Sequence, residues 1–346
     1  SLKLIELAEG EQARLLAHEP QIVDPVEAVF DDAGRLWVVE MPDYPIRVSE
    51  QPQGRIVALS DPDGDGLYDS LHVFADQLEM PTGMALWKDG VVATVAGKLV
   101  YLTDTNGDGR ADHTQIWLEG FKEDNEQLRA NHPRLGPDGW WYIACGLRGG
   151  AVQLGPELRG NSPAEPLEIG SRDVRFHLAT KTIELITGPA QFGLTFDGLG
   201  QRLFCSNRNP AVQVIFEQAD LIGNPLAGLA PSVVDVVPAG DDSRVYPLVD
   251  AWVTSHLHSG QFTAACGVFS NGSADGMTDV YTCEPTGSLV HRQRSARVGT
   301  RLSPAAEQPD AAGREWLASR DAWFRPVNVD LAPDGGPIVV DMHRAV

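Results

Sequence analysis

Apolar and polar residues alternate in short runs along most of the chain, and the runs come in pairs separated by a glycine-containing turn. The copies read VEAVFDDAGRLWVVEM (26–41), TGMALWKDGVVATV (82–95), HPRLGPDGWWYIACG (132–146), FGLTFDGLGQRLFCSN (192–207) and VNVDLAPDGGPIVVDM (327–342), with a more divergent copy at 262–285. A period of two with β-branched and aromatic residues predicts strands, and Asp-x-Gly-type turns close them into hairpins. Helical periodicity is weak throughout; DAAGREWLASR (310–320) alone predicts a short helix. Six hairpins followed by further strand-like segments predict one all-β domain over residues 1–346, a six-bladed β-propeller. The first hairpin continues as RIVALS (55–60) and SLHVFA (70–75), the second as KLVYLT (98–103) and HTQIWL (113–118). The last hairpin has no following strands, so N-terminal segments within residues 2–19 (2–8 and 13–19) are expected to complete its blade, unless the natural chain continues. Residues 147–170 and 221–260 read as long irregular insertions, a length that is usually functional or mobile.

Two segments between predicted third and fourth strands share one spacing. Asp61, Asp63, Asp65, Gly66 and Asp69 recur 43 residues later as Asp104, Asn106, Asp108, Gly109 and Asp112. Oxygen donors at positions 1, 3 and 5, glycine at 6 and a carboxylate at 9 resemble the start of an EF-hand loop and point to calcium. A polar Asp-Gly turn that binds nothing is the other reading. Third-to-fourth connections share a propeller face with the hairpin turns. Calcium held there is therefore expected to be structural, tying blades 1 and 2, and chemistry is expected at the opposite mouth.

Positions flanking that mouth form a polar set. After the second strand of each hairpin come Glu40, Asp43, Tyr44, Arg148, Asn207, Arg208, Asn209, Glu284, Asp341, His343 and Arg344. Before the first strand come Arg129, Asn131, His132, Gln191, Arg325 and Asn328. In blade 2 only Ala96-Gly97 lies between strands, leaving a low rim. Singly these residues read as solvated charges or turn caps. Together the arginines suit an anionic or richly hydroxylated ligand, because guanidinium donates in pairs. His132, His256, His258 and His343 are candidate bases or metal ligands.

A hydrophobic fraction of 42% is enough for a substantial core, and 35 glycines and 24 prolines suit many tight turns. A formal charge of −21 argues against nucleic acid and anionic membranes as partners. No apolar run approaches the roughly 20 residues of a membrane helix, and the start has no signal-peptide core, so any export signal is expected to lie outside this chain. Cys266 and Cys283 fall on neighbouring strands and allow a cross-strand disulfide; Cys145 and Cys205 read as buried small hydrophobes. A Gly-x-Ser-x-Gly elbow and a phosphate-binding loop are both missing from the sequence, against serine hydrolases and nucleotide enzymes of those types.

The segments DPVEAVFDDAGRLWVVEMPDYP, GRIVALSDPDGDGLYDSLHVFADQLEMPTGM, QFGLTFDGLGQRLFCSNRNP, FTAACG, CEPTGSLVHR and WFRPVNVDLAPDGGPIVVDMHRAV resemble the propeller domain of the planctomycete-type membrane-bound dehydrogenases. That family is similar to the soluble quinoprotein glucose and sorbosone dehydrogenases. The resemblance implies a six-bladed propeller using pyrroloquinoline quinone and calcium, exported to the periplasm or beyond, with a cytochrome as electron acceptor. In those enzymes a histidine eight residues before a Gly/Ser-Pro-Asp turn is the base. Here that position, counted from Gly136-Pro137-Asp138, is Leu128, and His132 lies four residues later. Three functions follow. A sugar oxidoreductase would hold quinone with Arg129, Arg208, Arg325 and Arg344, flanked by Asn131, Arg148, Gln191, Asn207 and Asn328, and would use His132 or His343 as base. A calcium-dependent lactonase would use Glu40, Asn207 and Asp341. A non-catalytic carbohydrate-binding propeller would stack sugar on Tyr44, Trp323 and Phe324.

Overall fold

The computed structural model describes residues 2–47, 49–222, 224, 231–249, 258–272, 275–305, 308 and 313–344. The chain divides into two compact units. The first is Leu15–Leu185 with Asp330–Val340; the second is Ser1–Arg14 with Ile186–Val329 and Asp341–Val346.

Strand β1 (Ile5–Leu7) belongs to the second unit. In the first unit, β2 (Pro25–Phe30), β3 (Leu36–Glu40), β4 (Gly54–Ser60) and β5 (Ser70–Leu78) pair in chain order as an antiparallel sheet. Strands β6 (Gly83–Trp87), β7 (Gly90–Val95), β8 (Lys98–Thr103) and β9 (His113–Phe121) repeat that pattern. The segment 147–170 differs from expectation. Instead of an irregular insertion, 147–170 contains β12 (Gly150–Leu154), the single-turn helix α1 (Pro156–Arg159) and β13 (Leu167–Glu168), and both strands extend the second sheet beyond β9. The pairing needs glycine on both sides, because a Cβ on Gly150 would sit 2.1 Å from the Gly120 carbonyl. The third sheet is β10 (Asn131–Leu135), β11 (Trp141–Ala144), β14 (Val174–His177) and β15 (Thr182–Leu185).

In the second unit, β16 (Leu194–Phe196), β17 (Arg202–Ser206), β18 (Asn209–Val214) and β19 (Val233–Asp235) form a four-stranded sheet, with the short helix α2 (Gln218–Leu221) before β19. The last large sheet runs β1-β24-β22-β21-β20, from β20 (Cys266–Gly272), β21 (Thr278–Glu284), β22 (Leu289–Val298) and β24 (Leu317–Ser319), with β23 (Arg301–Pro304) also on β22. Strands β25 (Pro326–Leu331) and β26 (Pro337–Asp341) make a two-stranded sheet.

The fold is an all-β β-propeller, but among the described residues it has five multi-stranded blades and one bare hairpin, not six blades. The N-terminal strand does not complete the last hairpin. It pairs with β24, Ile5 opposite Ser319 and Leu7 opposite Leu317, and residues 13–19 form no strand. Side chains explain the choice: Glu6 pairs with Arg320 at 2.5 Å, and Glu11 meets Arg292 at 2.9 Å and the Trp316 indole N–H at 3.2 Å. The helix expected over 310–320 is replaced at 317–319 by β24. Within 221–260, β19 is a regular strand, while 250–257, including His256, lie outside the described residues.

Three of the hairpin turns are built by an aspartate. Asp31 Oδ1 accepts the amides of Ala33 (3.0 Å) and Arg35 (2.8 Å), and Oδ2 accepts the Trp37 indole N–H at 2.9 Å. Asp138 accepts the Trp140 amide and the Tyr142 hydroxyl, and Asp197 the amides of Leu199 and Gln201. Such side-chain-to-backbone bonds pre-form the turn. Each unit has its own core. Trp117, Trp141, Phe176 and Ile143 centre the first, with Trp87 packed edge-on against the two tryptophans, and Leu203, Phe262, Val268, Val280 and Leu289 centre the second.

Candidate functional site

The two Asp loops sit where the alternation places them, between β4 and β5 and between β8 and β9. They share one conformation. Asp61 accepts the amides of Gly64 (2.7 Å) and Gly66 (2.8 Å), and Asp104 those of Gly107 and Gly109 (both 2.7 Å). Burial pushes the Asp61 carboxyl up, but the Gly66 and Gly64 amides outweigh it and hold the group below its ordinary value. The Gly109 amide leads in holding Asp104 down. One oxygen each of Asp61, Asp63 and Asp65 lie within 4.8 Å of one another, a spacing a hard cation can bridge. Asp69 stands outside that group, and Asp112 spends its oxygens on the Thr105 amide and hydroxyl (2.8–2.9 Å). The second loop also docks on β5: His72 Nε2 meets the Gly109 carbonyl at 2.7 Å, Arg110 pairs with Asp76 at 2.6 Å, and the Ala111 amide donates to Phe74. Blades 1 and 2 are therefore stitched through this loop.

In the first unit, the expected mouth residues divide into engaged and available ones. Glu40 ends β3 fully buried; it accepts the Val23 amide at 2.8 Å and is gripped by Arg55 through both oxygens. Asp43 accepts the Gln53 amide at 2.7 Å, and the Tyr44 hydroxyl accepts from Gln127 at 3.0 Å. Arg148 is held bidentately by Asp124 at 2.8 and 2.9 Å. Arg129 pairs with Glu123, while its Nε is buried with no hydrogen-bond partner among the described residues. Burial lowers this guanidinium, opposed by Glu79.

His132 lies in a β-bulge, where the register of β10 on β11 shifts between Asn131 and Arg134. The same shift opens β20 between Cys266 and Phe269, and there the left-handed position is Gly267 (φ 58°) where blade 3 has His132 (φ 46°). A non-glycine residue at such a φ costs about 1–2 kcal/mol. Asn131 donates to the Arg129 carbonyl at 2.8 Å, which turns its Oδ1 toward His132 Nδ1 at 2.8 Å. Nδ1 must then carry the proton and leave Nε2 basic. The residue is only 1% exposed.

In the second unit, Gln191 Oε1 accepts the Asn207 amide at 3.1 Å. Arg208 bonds Asp241 at 2.6 Å and Gln261 at 3.0 Å, and Arg325 donates to the Pro285 carbonyl. Arg208 Nε, Arg325 Nε and Asn328 Nδ2 are all buried with no hydrogen-bond partner among the described residues. Burial lowers the Arg325 guanidinium, opposed by Asp341 and Glu284. Asp341, ending β26, accepts the amides of Arg325 (2.7 Å) and His343 (2.9 Å) and faces His343 Nδ1 at 3.3 Å. Arg344 and His258 are half-buried.

The terminal carboxylates have a shared task that the sequence reading missed. Glu40, Glu284 and Asp341 each end the second strand of a hairpin and accept amides just before the first strand: Val23, Thr263 with Ala264, and Arg325. They are clasps. Burial pushes Glu284 up, with Thr286 and the two amides opposing. Also missed is a buried charge set in the first unit. Glu27, fully buried, pairs with Arg134, accepts the Met84 amide at 2.9 Å, and shares Arg134 with Asp330 at 3.6 Å. Its signal was present, since each of these residues lies four before a turn aspartate, Asp31, Asp138 or Asp334. Cys266 and Cys283 are direct register partners but are free buried thiols.

Solved structures share the fold. The holo PQQ domain of pyranose dehydrogenase from Coprinopsis cinerea is 12% identical, covers 99% of this chain and 95% of its own, and has a TM-score of 0.58. The PQQ-bound aldose sugar dehydrogenase of Streptomyces coelicolor is 13% identical, with 98% and 92% coverage and a TM-score of 0.52. A calcium structure of a Trichoderma reesei family AA12 enzyme is 13% identical, with 99% and 95% coverage and a TM-score of 0.51. At these identities the likeness establishes the fold alone. No curated protein matches the sequence. A family model described as a domain of unknown function (DUF7133) matches residues 1–346.

Proposed function

The chain belongs to that DUF7133 family along its whole length, and we propose that it is an exported oxidoreductase that oxidises a sugar or sugar-like alcohol, with pyrroloquinoline quinone as oxidant, structural calcium and a cytochrome as acceptor. Kinship with the planctomycete-type dehydrogenases is part of this reading.

The observation that carries it is the set of buried N–H groups on Arg208, Arg325 and Asn328 in the second unit, each lacking an acceptor among the described residues. A buried unsatisfied donor costs about 1–3 kcal/mol, so a ligand rich in carboxylate and carbonyl oxygens would recover that energy. The residues therefore fit a polycarboxylate quinone by type. Two of the similar folds are described as PQQ-containing sugar dehydrogenase structures. When bound, the quinone supplies a two-electron acceptor. The chain's own residues would hold its acidic edge through the guanidinium groups and keep a basic imidazole nitrogen ready for the hydroxyl proton. Calcium is assigned to Asp61, Asp63 and Asp65, and by equivalence to Asp104, Asn106 and Asp108, as a brace for blades 1 and 2.

The lactonase reading is weaker, because Glu40 is already committed to Arg55 and the Val23 amide. Reconstitution with quinone and calcium, then a dye-reduction assay over aldoses, alditols and lactones, tests the proposal. Quinone-dependent dye reduction with a sugar is expected. Lactone hydrolysis without quinone, or no spectral change on adding quinone, overturns it.

A further inference from the structure

We infer that His343, oriented by Asp341, is the base that takes the substrate hydroxyl proton, and that Trp323 is the face on which the sugar ring lies. This rests on the oxidoreductase reading.

Asp341 Oδ1 accepts two backbone amides, from Arg325 and His343, and this fixes the plane of the carboxylate. Its Oδ2 then faces His343 Nδ1 at 3.3 Å. A carboxylate oxygen can only accept, so Nδ1 carries the proton and Nε2 is the basic nitrogen. The His343 side chain is 42% exposed and can meet a ligand from solvent. His132 has an equally well-defined basic nitrogen, but at 1% exposure no sugar hydroxyl reaches it without displacing its surroundings. His343 is held at φ 44°, a conformation that non-glycine residues adopt at a cost.

Trp323 is 53% exposed, and its ring centroid lies 6.0 Å from that of His343 with the planes inclined by 49°. Its amide is pinned by Asp321 Oδ1 at 3.0 Å, and the Phe324 amide by the Asp321 carbonyl at 3.1 Å, so the indole stands on a tied turn. A large aromatic left in water beside an oriented imidazole suits the apolar face of a pyranose, whose hydroxyls point sideways toward the base. Asp321 and Asp341 are the carboxylates facing the imidazole, and Arg325 and Arg344 are the cations next to it in the chain. In the reaction the substrate O–H bond breaks and its proton passes to His343 Nε2. The carbinol hydrogen leaves with the C–H electron pair to the quinone oxidant, and the alcohol becomes a carbonyl.

The test begins on quinone-free protein, so that it does not depend on cofactor loading. Diethyl pyrocarbonate labelling with peptide mass spectrometry is run alone and with glucose, galactose or xylose. His343 should label, a bound sugar should protect it, and Trp323→Ala should abolish that protection. On quinone-loaded protein, His343→Gln should lower turnover by about 100-fold or more, the range of general-base catalysis, with quinone affinity unchanged. Trp323→Ala should raise KM more than it lowers kcat. Turnover by His343→Gln within threefold of wild type, or protection at His132 instead of His343, overturns the assignment. Failure to bind quinone overturns the oxidoreductase reading instead, while the sugar footprint still decides for or against the Trp323–His343 site.

Discussion

Replacing Arg134 with methionine should destabilise the first unit by about 3–5 kcal/mol, the cost of leaving a buried charge without its partner. The magnitude follows from what would remain. Glu27 is fully buried, and without Arg134 its one remaining hydrogen-bond partner among the described residues is the Met84 amide at 2.9 Å. Arg134 also donates to the Met84 carbonyl at 3.0 Å and neutralises Asp330 at 3.6 Å, so two carboxylates would face each other across the gap. Removing both charges is a different experiment. The double variant Glu27→Met/Arg134→Met removes the fully buried acid with its arginine and leaves only the partly exposed Asp330, and apolar replacements of buried pairs are often neutral, so it should recover most of the loss. Urea unfolding at pH 7, followed by tryptophan fluorescence, reads this unit directly, because Trp87, Trp117 and Trp141 pack in its core. A loss below 1 kcal/mol for Arg134→Met, or a double variant no better than the single one, would refute the argument that the arginine compensates buried acid.

Three further outcomes are expected. Burial pushes the Asp330 carboxyl up, with Arg134 and the Leu331 amide opposing. Its folded pKa lies above the unfolded one, so its contribution is present at low pH and is lost as pH rises through the folded value; Asp330→Asn should therefore gain less in melting temperature than wild type on going from pH 7 to pH 5. Gly83→Ala should cost about 1–3 kcal/mol in urea, the range of overpacked sites, since its Cβ would lie 2.8 Å from both Glu27 Oε2 and the His132 amide. Calcium at 100 times its dissociation constant should raise stability by about 2.7 kcal/mol, and Asp61→Asn with Asp104→Asn should remove the calcium-dependent shift in melting temperature.

The hairpins were legible because local chemistry writes them: alternation sets the strands, and the turn aspartates bond their own backbone. The Asp loops were legible for the same reason. Partner choice was not. Residues 5–7 alternate acceptably for any open edge, and only Glu6 with Arg320 and Glu11 with Arg292, some 300 residues apart in chain, select β24. Most of the polar residues expected around the mouth lie at or next to strand ends, though Asn328 lies inside β25, and their roles depend on burial and on distant partners. Glu40 resembles a free ligand in sequence and is a clasp in the structure. His132 lies in a bulge that no spacing rule reveals, and Glu27, Arg134 and Asp330 looked like ordinary strand residues until three blades were compared at one register.

The central claim is that buried guanidinium donors hold a quinone. Titrating the protein with pyrroloquinoline quinone in the presence of calcium, read by difference absorbance, tests it most directly. Saturable one-to-one binding is predicted, weakened about 10- to 100-fold by Arg325→Ala, the equivalent of a lost charge-assisted hydrogen bond of about 1.5–3 kcal/mol. No saturable binding, or affinity unchanged by both Arg325→Ala and Arg208→Ala, would contradict it.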